Sequence, residues 1–384
     1  MMWPYNTHLF LPSDSFHDLT NYLNGEFPFF VKNLDYVYFP FAYIFFNFIS
    51  LFNNQFVVFL YLLFATLLFF YLNSKYLILR NNSTLQNFQN LSIFTLLSYP
   101  YLFNIDRANI ELLIFSVVGF AIYYFYSEQY NKSLLLFLIA GLFKPFYFIF
   151  FILFMERKRY KEIFIAICFW LIITFLSFII LSQGIVSPLY QVNIFIENLK
   201  LNFQHYVVDC SGIAYNSSLY SSLLILGKYF YKNNFDVDFL LKIYKLFIGI
   251  MGPLLIFLAY FIKSKWQKMF LIVSVFCFIP FYGEDYRLIY YFLPFYLFVN
   301  NKDMVKKMDL IYTILFALLF IPKNYWFLKF NLPYSFYSIQ IILNDLIISF
   351  ILISIIYFFV KDNLKNIFKP MKIFVKSAKN DRMY

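Results

Sequence analysis

Long apolar runs separated by short polar segments make up most of the chain. The runs lie at residues 37–53, 55–73, 91–104, 108–127, 133–155, 160–182, 219–231, 238–262, 269–283, 286–300, 308–322 and 339–360. A helix needs about twenty apolar residues to cross a bilayer. The longer runs therefore predict membrane-spanning helices, and the shorter ones predict re-entrant or interfacial segments. The pattern predicts an all-α polytopic membrane protein with a bundle of roughly 10–12 membrane helices.

The composition supports this class. Hydrophobic residues make up 62% of the 384 positions and charged residues only 13%, whereas soluble domains carry about a quarter charged residues. The net charge of +11 comes largely from clusters such as 156–161, 263–268 and 300–307. Such clusters are typical of cytoplasmic loops between membrane helices. We therefore expect the lipid bilayer, and no nucleic acid, as the partner of these residues.

The polar segments divide the chain into three parts. Residues 1–36 are polar, mildly acidic and rich in turn residues, which predicts an extracytoplasmic loop without a signal peptide. Residues 37–360 form the expected membrane domain, with a long external loop at about 183–218. Residues 361–384 alternate lysines with apolar residues. This predicts a basic amphipathic helix on the cytoplasmic leaflet, interrupted or kinked at Pro370.

Placing the basic clusters in the cytoplasm leaves two arrangements for the first half of the chain. If every run is a full span, the segment "IDRANIE" faces the cytoplasm. If 37–53 lies in the interface and 133–155 is a hairpin broken at Lys144 and Pro145, the segment faces outward. We favour the second arrangement, because it brings the polar motifs to one external cavity, and charges near hydrocarbon are tolerated when they share one.

The segment "IDRANIE" concentrates charge between two apolar runs. It contains Asp106, Arg107, Asn109 and Glu111. One interpretation is a tight turn in which Arg107 pairs with an acid. The alternative, which we favour, is an anion site: Arg107 lies beside the start of a helix at Ala108 or Asn109 and binds a phosphate.

Two acids in "SDSFHD" lie four positions apart and share one face if the segment is helical. Either Asp14 caps that helix, or one of Asp14 and Asp18 takes a proton from an acceptor hydroxyl. Lys144 in "FKPF" either snorkels to an interface or contacts a phosphate from a broken helix.

Two later motifs are less specific. Asn216 in "AYNSSLYSSL" lies at the expected start of a short helix, where capping also explains the pattern. Asp285 and Arg287 belong to "GEDYR", which is either a self-paired turn or part of the same site. No Walker loop, dinucleotide fingerprint, HExxH or GxSxG motif occurs, so nucleotide-driven transport and hydrolysis at those sites are unsupported.

Taken in order, these segments resemble a known family. The stretches "YFPFAYIFF", "PYLFNIDRANIELLIFSVVGFAIYY", "LFLIAGLFKPFYFIFFILFMERKR", "YNSSLYSSL" and "EDYRLIYYFLPF" resemble the glycosyltransferase family 87 type of polyprenol-dependent mannosyltransferase, within the GT-C superfamily. The resemblance covers most of the chain through short, degenerate motifs. It implies a GT-C-like bundle with an extracytoplasmic active-site cavity.

The resemblance also implies roles for individual residues. Asp14 or Asp18 would be the catalytic base. The candidate substrate-binding residues are Asp106, Arg107, Asn109, Glu111, Lys144, Asn216, Asp285 and Arg287. No cofactor or metal is implied; a divalent metal is compatible with the acids, but a monophosphate donor does not require one.

Two departures from the family pattern stand out. A membrane helix normally precedes the acidic loop, whereas here the loop begins almost at Met1, which puts its anchoring in question. Ala108 stands where the family tends to have glycine.

The function implied is a glycosyltransferase of the plasma (inner) membrane. It would transfer a sugar, such as mannose, from a polyprenyl-phosphate donor to a glycan or lipid-linked acceptor hydroxyl on the outer face. The alternative is a non-catalytic flippase for lipid-linked sugars, or a subunit of a surface-polysaccharide polymerase, which would use the same basic groups to handle a lipid phosphate.

Overall fold

The computed structural model describes residues 15–24, 38–78, 85–182, 187–209, 213, 216–231, 234–300, 307–323, 327–329 and 336–380. Its α-helices are α1 (His17–Asn24), α2 (Pro40–Ile49), α3 (Asn54–Ile78), α4 (Leu85–Leu96), α5 (Tyr99–Arg107), α6 (Glu111–Tyr126), α7 (Tyr130–Phe143), α8 (Phe151–Glu156), α9 (Tyr160–Ser182), α10 (Pro188–Phe203), α11 (Leu219–Tyr231), α12 (Val237–Phe261), α13 (Lys265–Cys277), α14 (Phe292–Val299), α15 (Lys307–Phe320) and α16 (Ile339–Asn380).

Shorter elements interrupt this helical chain. Two 3₁₀ helices cover Pro145–Phe150 and Asp285–Tyr291, and a π-helical turn covers Gln204–Val208. Strands β1 (Phe327–Lys329) and β2 (Phe336–Ser338) pair antiparallel. The described chain is therefore almost entirely helical.

Within the described ranges, four helical stretches are long and apolar enough to cross a membrane: Asn54–Tyr76, Tyr160–Ser182, Val237–Phe261 and Ile339–Lys361. Many of their large apolar side chains face outward; Phe164 on α9, for example, is 68% exposed. Apolar surface of this extent is unfavourable in water and favourable against lipid. A helical membrane protein is thus confirmed, while the GT-C bundle and its 10–12 membrane helices stay predictions.

Several apolar helices are shorter than a span. They are Pro40–Ile49, Glu111–Tyr126, Tyr130–Phe143, Pro145–Glu156 and Met308–Phe320. Pro40 lies in the first turn of α2, where a missing N–H breaks no helical hydrogen bond. The expectation of short segments beside full spans is therefore confirmed, and the side of the membrane that each one enters stays a prediction.

The run at 133–155 breaks where the sequence predicts. Helix α7 ends at Phe143, Lys144 is extended (φ −148°, ψ 114°), and Pro145 opens a 3₁₀ helix. Proline disfavours helical geometry in the residue before it, so the break falls at Lys144. The buried helix α6 packs against α3 and α7, and the end of α7 therefore lies beside the start of α6.

Helices lie in both the expected external loop and the tail. The expected external loop at 183–218 contains helix α10, whose first turn is capped by Ser187 and begins with Pro188. The tail was expected to be interrupted or kinked at Pro370. The backbone of α16 is helical through this residue to Asn380, so the helix is not interrupted there, and a kink stays a prediction. The association of this tail with the leaflet stays a prediction.

Candidate functional site

A cavity of about 520 Å³ opens where α6 begins and α7 ends. Its polar lining comes from distant parts of the chain and includes His17, Asp18, Asn109, Lys144, Glu284 and Arg287. Residues of the "SDSFHD", "IDRANIE", "FKPF" and "GEDYR" motifs therefore line one cavity, as expected, whereas its location on the external face stays a prediction. The second predicted base, Asp14, lies outside the described residues.

Asp18 enters the cavity from helix α1. The amide of Asn109 donates to its carboxylate across 2.6 Å. The chain just before α1 is tied to α5, because the Phe16 N–H donates to the carbonyl of Asp106 at 2.6 Å. Ser15 also donates to the Asp106 carboxylate at 3.4 Å. Asp106 therefore fixes the approach of α1 and does not line the cavity.

The environment of Asp18 changes its acidity. Burial raises the pKa of the Asp18 carboxyl, while the positive charges of Arg107 and Lys144 and the Asn109 hydrogen bond act in the opposite direction. Desolvation wins because an ionised carboxylate loses much of its hydration in the cavity. A carboxylate with a raised pKa is a stronger proton acceptor than an exposed one.

The turn between α5 and α6 differs from the prediction in one respect. Helix α6 begins at Glu111, and not at Ala108 or Asn109. Ala108 adopts a left-handed conformation (φ 47°) that ends α5; glycine enters this conformation without strain. The side chain of Asn109 then accepts from the Glu111 N–H at 2.9 Å. That N–H is therefore already used by the protein.

Arg107 consequently has a different position from the one expected. It belongs to the last turn of α5, its guanidinium lies 5.6 Å from the Phe103 ring centroid, and it does not line the cavity. The predicted phosphate site, with Arg107 beside a free helix start, is not formed in this arrangement. Its charge still reaches Asp18 electrostatically.

Glu111 lies behind the cavity wall and is fully buried. Lys144 donates to one of its carboxylate oxygens, and Tyr147 and Tyr290 both donate to the other. Both carboxylate oxygens thus accept from protein side chains and neither reaches the cavity surface, which suits a positioning residue better than a substrate ligand. Lys144 itself lines the cavity, with its ammonium 4.5 Å from the Tyr38 ring centroid.

The "GEDYR" motif contributes a different acid from the predicted one. Asp285 is buried and accepts from Tyr99 at 2.6 Å and from Ser217. It anchors the 3₁₀ helix and does not line the cavity. The adjacent Glu284 lines it, accepts from Tyr282 at 2.6 Å, and has its pKa raised by burial. Glu284 has an extended backbone, and side chains of adjacent residues in an extended segment point in opposite directions. Glu284 therefore faces the cavity, while Asp285 faces the core.

Arg287 forms no ion pair among the described residues, although the negative charges of Glu111 and Glu284 act on it from a longer distance. One of its terminal nitrogens donates to the Tyr282 carbonyl at 3.3 Å, and its Nε has no acceptor in the described chain. The guanidinium lies 5.2 Å from the Phe146 ring centroid. A guanidinium has five N–H donors; the Nε of Arg287 is buried, so the terminal N–H groups that do not bond to Tyr282 are the ones available to a ligand in the cavity.

Asn216 holds the neighbouring backbone and does not line the cavity. Its side chain accepts from the Gly283 N–H at 2.8 Å and donates to the Phe281 carbonyl at 3.0 Å. Gly283 is needed at this contact, since a Cβ there would lie 2.2 Å from the Cys277 carbonyl oxygen. The predicted short helix after Asn216 is confirmed as α11.

The described residues contain no group of three or more His, Cys, Asp or Glu side chains that would hold a metal ion. Sequence reasoning also missed the tyrosines of the cavity and its wall. They are Tyr22, Tyr38, Tyr147, Tyr206, Tyr282, Tyr286 and Tyr290. In a chain with 35 tyrosines, nothing local distinguishes them.

Comparison of the whole chain with protein-family models, with curated proteins and with solved structures finds no match.

Proposed function

We propose that this protein is a membrane-embedded glycosyltransferase that moves a sugar from a polyprenyl-phosphate donor to an acceptor hydroxyl. The observation that carries the proposal is one cavity containing both a carboxylate with a raised pKa, Asp18, and a guanidinium that forms no ion pair among the described residues, Arg287. Acid and base in a shared cavity suit a reaction in which a proton leaves the acceptor and an anion leaves the donor.

Arg287 replaces Arg107 as the proposed phosphate ligand. Guanidinium groups bind phosphate oxygens through two parallel N–H bonds, and Arg287 retains donors for this purpose. Lys144 lies in the same cavity and adds a second contact, although Glu111 offsets its charge. Glu111 and Glu284 also act on the charge of Arg287, so the two cations of the cavity are partly offset before a donor binds. A monophosphate donor does not require a metal.

Asp18 is the proposed base. Its carboxylate takes the proton from the acceptor hydroxyl, and the acceptor oxygen forms a bond to the anomeric carbon of the sugar. The bond between that carbon and the phosphate oxygen breaks, and its electron pair leaves with the polyprenyl phosphate. Arg287 and Lys144 offset the charge that develops on this leaving group. Attack opposite the leaving group inverts the anomeric centre.

The membrane setting fits such a donor. A polyprenyl chain stays in lipid while its phosphate reaches the polar cavity where α6 begins and α7 ends. We place the cavity on the outer face of the plasma membrane, following the preferred orientation of the basic clusters. A tag inserted in the turn between α5 and α6 and probed from each side of the membrane tests this placement.

The direct test is sugar transfer by the full chain in membranes. Membranes containing the protein are incubated with labelled polyprenyl-phosphate mannose or glucose, and labelled product is quantified. We expect transfer by the wild type, loss of about a hundredfold or more in Asp18→Asn, and a large loss in Arg287→Gln. Asp238→Asn, an exposed acid in the first turn of α12, serves as the control and should retain full activity.

The results that overturn the proposal are specific. Full transfer by Asp18→Asn excludes Asp18 as the base. Movement of the labelled lipid between leaflets without any new glycosidic bond would instead indicate the flippase alternative, in which Asp18 is dispensable.

A further inference from the structure

One side of the cavity is aromatic and is not used by the mechanism above. The rings of Tyr206 and Tyr282 stack with centroids 5.2 Å apart and an interplanar angle of 29°. Both residues line the cavity and both are partly exposed. Each ring covers one face of the other. The stacking therefore fixes the orientation of the ring surface that stays exposed to the cavity.

The backbone that carries Tyr206 is irregular. Helix α10 passes directly into the π-helical turn Gln204–Val208. The side chain of Gln204 donates to Asp209 at 2.8 Å, and the Asp209 N–H donates back to the Gln204 carbonyl at 2.8 Å. Isolated π-helical turns are rare and occur frequently at functional sites, because the extra residue changes the direction of the side chains. Here the turn contains Tyr206.

A carboxylate is held beside this ring pair. The hydroxyl of Tyr282 donates to one oxygen of Glu284 at 2.6 Å, and Glu284 also lines the cavity. The second Glu284 oxygen is the part of the group that can accept from a ligand. An aromatic surface beside a hydrogen-bond acceptor therefore lies on the cavity wall, together with the amide of Asn202 on α10.

This combination matches the chemistry of a sugar ring. A pyranose has an apolar face of C–H groups and an edge of hydroxyl groups. The negative face of an aromatic ring attracts the slightly positive C–H hydrogens, and a carboxylate accepts from hydroxyls. A phosphate or a hydrocarbon chain would use only part of this surface, because the first needs cations and the second makes no hydrogen bonds.

We infer that Tyr206, Tyr282 and Glu284 form a binding subsite for a pyranose ring, and that this ring is the acceptor of the transfer reaction. Naming the ring as the acceptor rests on the proposed function, whereas the binding of a saccharide at these residues does not. The acceptor hydroxyl then belongs to a glycan, and Asp18 lies in the same cavity to receive its proton.

The test measures binding of simple saccharides, without a donor. Saturation-transfer NMR and equilibrium titration use the full chain in detergent micelles with the methyl glycosides of mannose, glucose, galactose and N-acetylglucosamine. We expect at least one glycoside to bind, with magnetisation transferred mainly to the C–H hydrogens of one ring face. Tyr206→Ala and Tyr282→Ala should each weaken binding about fivefold to tenfold.

Three further variants separate recognition from folding. Tyr206→Phe keeps the ring and should bind as the wild type does, and circular dichroism verifies that the alanine variants retain their helices. Glu284→Gln should weaken binding through the lost acceptor. Tyr190→Ala removes an exposed tyrosine from α10, the helix that precedes the π-helical turn. Tyr190 does not line the cavity, so the substitution should change nothing.

The outcomes also distinguish this inference from the proposed function. Absence of binding by every glycoside, or equal binding by Tyr206→Ala and the wild type, overturns the saccharide subsite. Saccharide binding without transfer from a labelled polyprenyl-phosphate sugar leaves the subsite standing and removes the transferase. Transfer that depends on Asp18 and is unchanged in Tyr206→Ala removes the subsite alone.

Discussion

An ion pair lies near each end of the antiparallel helix pair α6 and α7, and the two ion pairs differ in burial. At the cavity end, Lys144 and Glu111 form an ion pair whose side chains are 10% and 0% exposed. At the other end, Arg159 and Glu162 pair at 2.7 Å with both side chains 34% exposed. Arg159 directly precedes α9, and its guanidinium lies 4.0 Å from the ring centroid of Tyr130 at the start of α7. Both residues line a small cleft at this end.

The difference shows what burial adds to an ion pair. At the exposed end, water and ions screen each charge, so that little depends on the partner. At the cavity end, both charges have lost hydration, and each becomes unfavourable without its partner. The tyrosine hydroxyls on the second oxygen of Glu111 complete its hydrogen bonds. We therefore expect substitution of a charged residue to lower the free energy of unfolding more at the cavity end than at the exposed Arg159–Glu162 pair.

The largest effect should come from removing Glu111. Glu111→Ala leaves Lys144 buried without its carboxylate and should lower the free energy of unfolding by about 3–5 kcal/mol. Denaturant and thermal unfolding in detergent micelles, followed by circular dichroism, measure this. A double variant, Glu111→Leu with Lys144→Met, should recover most of the loss, because no unpaired charge remains. If the double variant is no more stable than the single one, burial of charge is not the cause.

A smaller effect should follow when a single hydroxyl is removed. Tyr290→Phe keeps the packed ring but withdraws a donor at 2.7 Å from Glu111, and should reduce stability by about 1–3 kcal/mol. Transfer by this variant should fall through a higher KM for the donor, since Lys144 is less well held. A loss of stability with unchanged kinetic constants would mean that the hydroxyl does not position Lys144.

The pH dependence of Asp18 sharpens the contrast further. Because burial raises the folded-state pKa of Asp18, its contribution to stability is fully present below the unfolded value of about 4. It is lost as the pH rises through the folded value. Unfolding free energies of the wild type and Asp18→Asn, measured across this window, should therefore converge in acid and separate toward neutral pH, with the wild type losing relative stability. Transfer, which needs the ionised form, should rise over the same window.

The smallest effect is expected at the exposed ion pair between Arg159 and Glu162. Glu162→Ala breaks the exposed pair and should change the free energy of unfolding by less than about 1 kcal/mol, in the same unfolding experiment used for Glu111→Ala. Added salt should reduce even this difference, because exposed charges are screened. A loss as large as that of Glu111→Ala would contradict the distinction between the two ends.

The sequence alone determined the class of the protein and several local features. Apolar runs of spanning length predicted the membrane helices, the Lys144–Pro145 pair predicted the break after α7, and the capping residues of "AYNSSLYSSL" predicted the short helix α11. These features depend on local composition, proline geometry and capping, all of which act within a few residues. The convergence of Asp18, Asn109, Lys144 and Arg287 followed from a physical constraint, since charges near lipid need shared surroundings.

Only the tertiary structure decided which member of each motif faces the cavity. Arg287 and Glu284 line the cavity, whereas Arg107 and Asp285 do not. Glu111 lies behind the cavity wall, where it accepts from Tyr290, 179 positions away in the sequence. The reason is that a rotation of one residue turns a side chain from a cavity to the core. That rotation is set by packing between distant helices, whereas the pattern of hydrophobic and polar residues records only that the segment is polar.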